Sequence, residues 1–220
     1  MSEDDVLKLL QDVGAFRTGH FVFTSGRHSN SYITKDALYT HTGETSRLCK
    51  EMAHRFKDAD IDVVIGPAVA AAILAQWVAY HLTDLSGREV FAVYADKDPV
   101  KPSATGQAAE TGFIIKRGYD KLIKGKNVLV VEDLTTTGGS IRKVVEAVRA
   151  VGANVSGVVA LCNRGDVKKE DIGDPPRFEA LLHVHLESWE AVDCELCKAN
   201  IPVNTDFGHG REFLAHKKIL

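Results

Sequence analysis

Val128-Leu-Val-Val-Glu-Asp-Leu-Thr-Thr-Thr-Gly-Gly-Ser-Ile-Arg-Lys143 is the stretch from which the rest of this 220-residue chain is best read. Val128–Val131 is a continuous apolar run without in/out alternation, which predicts a strand over Asn127–Val131 buried on both faces. Its C-terminal edge then carries two adjacent carboxylates, Glu132 and Asp133. Thr135, Thr136, Thr137, Gly138, Gly139 and Ser140 follow, leading into an amphipathic helix over 139–151 with Ile141, Val144, Val145 and Val148 on its apolar side. Ligands of open α/β sheets bind at this carboxyl edge. Glycines allow close backbone approach, while hydroxyls and a helix N-terminus donate hydrogen bonds, a combination suited to a phosphate monoester. The two carboxylates would repel a polyphosphate laid over them. They are better used to accept hydrogen bonds from vicinal ribose hydroxyls, or to ligate Mg²⁺ through water. The segment therefore reads as a sugar 5-phosphate site. A Walker loop is excluded by the missing Gly-Lys-Ser/Thr, and a dinucleotide fingerprint by the missing G-x-G-x-x-G.

Working outward, short apolar runs alternate with helical patterns. Ile61–Ile65, Val90–Tyr94, Gly112–Lys116 and Val155–Leu161 are predicted strands, with Leu181–Leu186 as a final candidate. Val69–Leu82 and Thr45–Phe56 are predicted helices, and Val6, Leu7, Leu10 and Val13 share one face of an N-terminal helix. The pattern predicts an α/β fold, a mostly parallel sheet flanked by helices. Before it, Phe23–Lys35 is dense in hydroxyls, Asn and cations, and predicts strands around a turn at Ser25-Gly26. Three regions are expected: an N-terminal helix and hood over 1–42, an α/β core over 43–190, and a tail over 191–220.

The composition narrows the class. Lys and Arg total 27 against 30 Asp and Glu, a net charge of −3, and 45% of residues are apolar. That excludes dominant disorder, and it lacks the basic excess of a dedicated nucleic-acid binder. Val63–Thr83 holds no Asp, Glu, Lys or Arg, but Gly66-Pro67 breaks the run and Gln76 and His81 interrupt it, so a buried strand and helix are expected instead of a membrane span. The acidic N-terminus lacks the layout of a signal peptide, and the four cysteines fit a reducing compartment; a cytoplasmic protein is expected.

The 128–140 segment resembles the phosphoribosyl-pyrophosphate (PRPP) signature of the type I phosphoribosyltransferases, with one departure: Thr135 stands where an aliphatic residue is usual. The resemblance implies that family's fold, a homodimer, no nucleic acid or membrane partner, and Mg²⁺ bound mainly through PRPP. It implies that Glu132 and Asp133 meet the ribose hydroxyls and that Thr136–Ser140 hold the 5-phosphate, with Thr135 also counted among the PRPP-binding residues. Ile61–Ala70 is similar to the family's second loop, so Gly66, Pro67, Ala68 and Val69 are expected to offer backbone amides to the pyrophosphate. Thr24–Lys35 and Val158–Arg164 are similar to segments of the orotate-using members. By that likeness Ser25, Gly26, Arg27, Lys35 and Arg164 are expected to bind the base, the guanidinium of Arg164 matching a carboxylate. The mobile loop of those members, with its Arg-Lys pair, further Lys and His-Gly, has no counterpart in 95–126. Lys97, Lys101, Lys116 and Arg117 stand there instead, and Lys97, Lys116 and Arg117, with Asp133, are the expected catalytic groups. The implied activity is phosphoribosyl transfer from PRPP to a nitrogenous base, orotate before other bases. The alternative is a PRPP-binding regulator with little catalysis.

Cys194-Glu-Leu-Cys197 has zinc-knuckle spacing, but a structural zinc needs four ligands. His209 and His216 are the residues considered to complete a set. Without a second C-x-x-C, two plain thiols of a small C-terminal region are expected and no metal ligand is assigned.

Overall fold

The structure, a computed structural model, describes residues 1–98 and 112–217. Lys101 and most of the Pro/Gly/Ala-rich insert lie outside these residues. In chain order the first elements are α1 (Glu3–Asp12), β1 (Phe16–Val22), β2 (His28–Ile33), α2 (Lys35–Tyr39), α3 (Thr42–Arg55), β3 (Val63–Pro67), α4 (Ala70–Ser86) and β4 (Phe91–Lys97). They are followed by β5 (Phe113–Ile114), α5 (Tyr119–Ile123), β6 (Asn127–Thr135), α6 (Gly139–Ala150), β7 (Asn154–Asn163), β8 (Phe178–His183), α7 (Glu195–Lys198) and α8 (Gly210–Lys217). No helix among the described residues is long and apolar enough to cross a membrane.

The chain divides into two compact units, Met1–Val6 with His41–Val184 and Leu7–Thr40 with His185–Leu220. The boundaries read from the sequence, at 42 and 190, separate hood from tail. In the structure those two segments build one unit together, because their backbones bond to each other.

The larger unit is a sheet of strand order β5-β4-β3-β6-β7-β8. β4, β3, β6, β7 and β8 run parallel, and the short edge strand β5 is antiparallel to β4. Alternate residues of the central strands serve opposite faces. Val63, Ile65, Val128, Val130 and Val158 pack with Ile141, Val144, Val145 and Val148 of α6. α4 covers β3, β4 and β6 on the sheet, and α3 lies against α4 and β7. This is why the strands read as unbroken apolar runs. Each such side chain, buried to within a percent or so of completeness, contributes about 1.5–3 kcal/mol. Strand order reverses between β3 and β6: the chain leaves β3 for β4 on one side, then returns to β6 on the other. The carboxyl ends of these two strands therefore flank the crevice where α/β sheets take ligands.

The smaller unit is built on the β1–β2 hairpin. Thr18 pairs with Ser31 and Phe21 with Ser29, so Gly19 and His20 together oppose Asn30, a β-bulge. The bulge breaks the alternation and leaves His20, Phe21 and Val22 buried in succession. The C-terminal segment adds to the hairpin by main-chain bonds. His28 and Trp189 exchange a pair at 2.8 Å each, Asn204 N–H donates to His20 O at 2.7 Å, and His209 N–H to Val22 O at 2.8 Å. Phe21 stacks on Tyr32 at 5.3 Å, and Arg17 lies 4.2 Å over the Phe207 ring.

Candidate active site

β6 continues four residues past its apolar run, through Glu132 and Asp133 to Thr135, since ladder bonds are indifferent to side-chain polarity. Glu132 pairs with Ala160, Leu134 with Cys162 and Thr135 with Asn163. Both carboxylates are drawn inward, Glu132 6% and Asp133 2% exposed. Asp133 N–H donates to Glu132 Oε1 at 3.1 Å, and Leu134 N–H to Asp133 Oδ1 at 2.6 Å. Thr135 is also buried, 3% exposed. It therefore stands apart from Thr136, Thr137 and Ser140, which are exposed.

Gly138 caps α6 at φ +76°, a left-handed conformation that a side chain would strain, and an added Cβ would lie 2.6 Å from Ile172 Cγ2. No side chain caps this helix. The first-turn amides, Gly139, Ser140 and Ile141, have no intrahelical acceptor, and they sit beside the three exposed hydroxyls. The result is an anion site bordered by the acidic pair.

The second loop differs from expectation. β3 extends through Gly66 and Pro67, Pro67 has no N–H, and Ala68 N–H donates to Ala95 O at 2.9 Å. Of the four residues expected to present amides, Val69 alone lies beyond the strand with its N–H not bonded to Ala95, and its side chain is 81% exposed. Val69 is the N-cap of α4, again with no side-chain cap. The amides open to an anion thus move one turn along, to Val69, Ala70 and Ala71. Two helix N-termini lacking side-chain caps follow the two strands that flank the crevice.

Arg164 closes one end of the 136–140 loop. Its N–H donates to Thr135 O at 2.8 Å and its Nη2 lies 3.2 Å from Thr136 Oγ1. Asn163, a residue the sequence reading passed over, fixes this turn. Its buried amide accepts from Val167 N–H at 3.0 Å and Gly165 N–H at 3.3 Å, and donates to Val167 O at 2.9 Å. Gly165 packs so closely on Thr136 that an added Cβ would fall 1.6 Å from its carbonyl oxygen. A polar residue directly after an apolar run and before Arg-Gly was the available signal.

The cations gather at the edge strand. Lys97 pairs with Phe113 across β4–β5. Lys116 and Arg117 both turn onto Asp96, at 3.6 and 3.1 Å, with Arg117 also 5.8 Å over the Tyr94 ring. The Arg117 guanidinium beside Asp96 holds that carboxyl below its ordinary range.

In the smaller unit, Ser25, Gly26 and Lys35 are exposed on or beside the hairpin. Arg27 is held within that unit by Ser188, Nε to Oγ 3.0 Å, and by Glu190. The Cys194–Cys197 pair does not turn to the histidines considered from the sequence. His209 meets Thr24 at 3.0 Å and His216 is exposed on α8, while His20 and His28 close on the two thiols.

Against known proteins, residues 37–183 match the phosphoribosyl transferase domain model. The chain is 38% identical to orotate phosphoribosyltransferase of Pelotomaculum thermopropionicum, over 92% of this chain and 95% of that one. It is 34% identical to the protein of that name from Caldanaerobacter subterraneus, over 92% and 96%. The crystal structure of Mycobacterium tuberculosis orotate phosphoribosyltransferase in complex with inorganic phosphate superposes with a TM-score of 0.62, at 25% identity, covering 82% of this chain and 96% of that one.

Proposed function

The chain belongs to the phosphoribosyl transferase domain family, and from that premise we propose that it transfers the 5-phosphoribosyl group of PRPP to orotate, releasing pyrophosphate. The observation that carries this reading is the pair of helix N-termini without side-chain caps at the β3/β6 reversal, one of them fringed by hydroxyls and a buried acidic pair. A substrate with a monophosphate at one end, a diphosphate at the other and vicinal hydroxyls between them has one complement for each part.

Thr136, Thr137 and Ser140, with the first-turn amides of α6, hold the 5-phosphate. Glu132 and Asp133 accept hydrogen bonds from the ribose hydroxyls. The amides of Val69, Ala70 and Ala71 receive the diphosphate, and Lys97, Lys116 and Arg117 neutralise it as it leaves. The donor set suits Mg²⁺: hard carboxylate oxygens beside substrate diphosphate, the combination that ion prefers. When bound, the ion supplies charge neutralisation to the leaving diphosphate. The chain's own part is positioning and electrostatics, without a covalent intermediate. Arg164 offers the base a planar two-pronged donor. In the smaller unit, Arg27 shapes the loop that carries Ser25 and Gly26 through Ser188 and Glu190.

The protein works in the cytoplasm as a homodimer. Support for a second copy comes from α4, where Ile73 and Tyr80 are exposed at 39% and 61%, as is Val69 before them. Light scattering of the purified chain tests this; a monomeric mass at micromolar concentration removes it.

The deciding assay is incubation with PRPP, Mg²⁺ and a panel of bases, measuring pyrophosphate. Release with orotate is the expected result. PRPP binding without release for any base overturns the enzymatic reading and favours the regulator.

A further inference from the structure

The smaller unit contains a side-chain cluster that phosphoribosyl transfer does not use. His20, His28, Cys194 and Cys197 bring four ligand atoms within 4.8 Å of one another. His20, His28 and Cys194 are buried, and Cys197 is partly so. Cys194 Sγ lies 3.6 Å from His20 Nε2, while Cys197 Sγ lies 3.8 Å from His20 Nε2 and 3.4 Å from His28 Nδ1. We propose that these four residues form a closed, tetrahedral structural zinc site that staples the two chain segments of the smaller unit.

The distances carry the assignment. Zinc bonds of about 2.3 Å to sulfur and about 2.0–2.1 Å to nitrogen, in a tetrahedron, separate S and N by about 3.5 Å and two nitrogens by about 3.3 Å. The three S···N separations straddle that value. The two imidazole nitrogens stand at 2.7 Å, so they move apart by about half an ångström on binding. Two thiolates and two imidazoles are the donor set of structural zinc, and a buried set of four protein ligands keeps no position open for substrate. Zn²⁺ enters as the two thiols lose their protons to solvent, forming two Zn–S and two Zn–N bonds.

The surroundings are arranged for the same purpose. His20 Nδ1 is 2.8 Å from the carbonyl oxygen of Ile201. A carbonyl only accepts, so Nδ1 carries the proton and Nε2 turns its lone pair to the thiols, which is the usual outer support of a metal-bound histidine. The His28 ring is fixed edge-on by Phe213 at 4.6 Å, and its backbone is paired with Trp189. The β1 bulge turns His20 inward beside Phe21 and Val22 instead of letting it alternate outward. Cys194 stands at the N-cap of α7 and Cys197 within that helical turn, so the C-x-x-C spacing aims both sulfurs to one side.

Each segment supplies two ligands, His20 and His28 from Leu7–Thr40 and Cys194 and Cys197 from His185–Leu220. A small unit assembled from two distant stretches of chain gains most from such a cross-link.

The test uses the full chain purified without chelator. Elemental analysis is expected to find about one zinc per chain, and replacement by Co²⁺ to give the visible bands and thiolate charge transfer of tetrahedral cobalt. Cys197→Ser is expected to lower zinc content at least about fivefold while Cys49→Ala, a thiol elsewhere, keeps it. If Cys197→Ser does not fold, the cobalt spectrum of the unmodified chain decides. Zinc below about 0.2 per chain with no cobalt–thiolate absorption, iron in its place, or full zinc in a folded Cys197→Ser protein would each overturn the proposal. None of these readings depends on phosphoribosyl transfer, so failure of one proposal leaves the other standing.

Discussion

The guanidinium of Arg164 lies 3.2 Å from the hydroxyl of Thr136, joining the end of β7 to the loop that opens α6. The residue assigned to the base and a residue assigned to the 5-phosphate are thus in contact, and a change at one is felt at the other. Arg164→Ala is expected to raise the KM for orotate by about 10- to 100-fold, the worth of a lost charge-assisted pair. Arg164→Lys recovers only part of this, because an ammonium cannot reproduce the planar fork. Steady-state kinetics with each substrate varied in turn checks it; an unchanged orotate KM removes Arg164 from base recognition.

Asp133→Asn keeps the shape and the bond from Leu134 N–H but removes the charge proposed to meet the ribose hydroxyls. Turnover is expected to fall by about 100-fold or more, with the melting temperature within a few degrees of the parent. Pyrophosphate release under saturating PRPP is the measurement. Turnover within threefold of the parent would remove the acidic pair from catalysis.

Asp62 tests the frame that carries the site. Its carboxylate accepts from the backbone N–H of Asn127 at 2.9 Å and from Arg88 at 3.0 Å, tying the start of β3 to the start of β6. The Asn127 N–H and then Arg88 hold its carboxyl below the ordinary value of 3.8. A depressed carboxyl stabilises the fold above its unfolded pKa, and the contribution disappears as pH falls through the lower folded value. The side chain is 27% exposed, so Asp62→Asn is expected to cost only about 1 kcal/mol at pH 7. Urea titrations should show the difference narrowing once pH drops below about 4. A gap that persists undiminished at pH 3 contradicts the ionic origin.

Burial pushes the Cys49 and Cys162 thiols up to about 12. At pH 8 about one molecule in ten thousand would carry either thiolate, so neither is expected to react with iodoacetamide in the folded protein. Mass spectrometry after labelling with and without denaturant checks this; prompt native labelling at Cys49 would show that α3 opens readily.

The sheet was legible because burial on both faces leaves its mark in composition: Val128–Val131 and Val158–Leu161 have no polar interruption. Strand ends were not, since Glu132–Thr135 and Asn163 stay in the ladder through backbone bonds that side-chain polarity does not reveal. For the same reason the spacing did not show that β3 runs through Gly66 and Pro67 and that Ala68 N–H is bonded to Ala95 O. α2 and α5, of five residues each, are too short for a 3.6-residue period to declare itself. The partners of Cys194 and Cys197 were missed for a different reason. Spacing finds ligands that are near in sequence, and His20 and His28 lie on two strands of a bulged hairpin at the other end of the chain.

That arrangement sets an order of events during synthesis. The hairpin leaves the ribosome well before its bonding partners at Trp189, Asn204 and His209. At about 5–20 residues per second, some ten seconds or more separate them. In that interval the core strands can assemble while the hairpin edge waits exposed, and the smaller unit closes only when those later residues arrive.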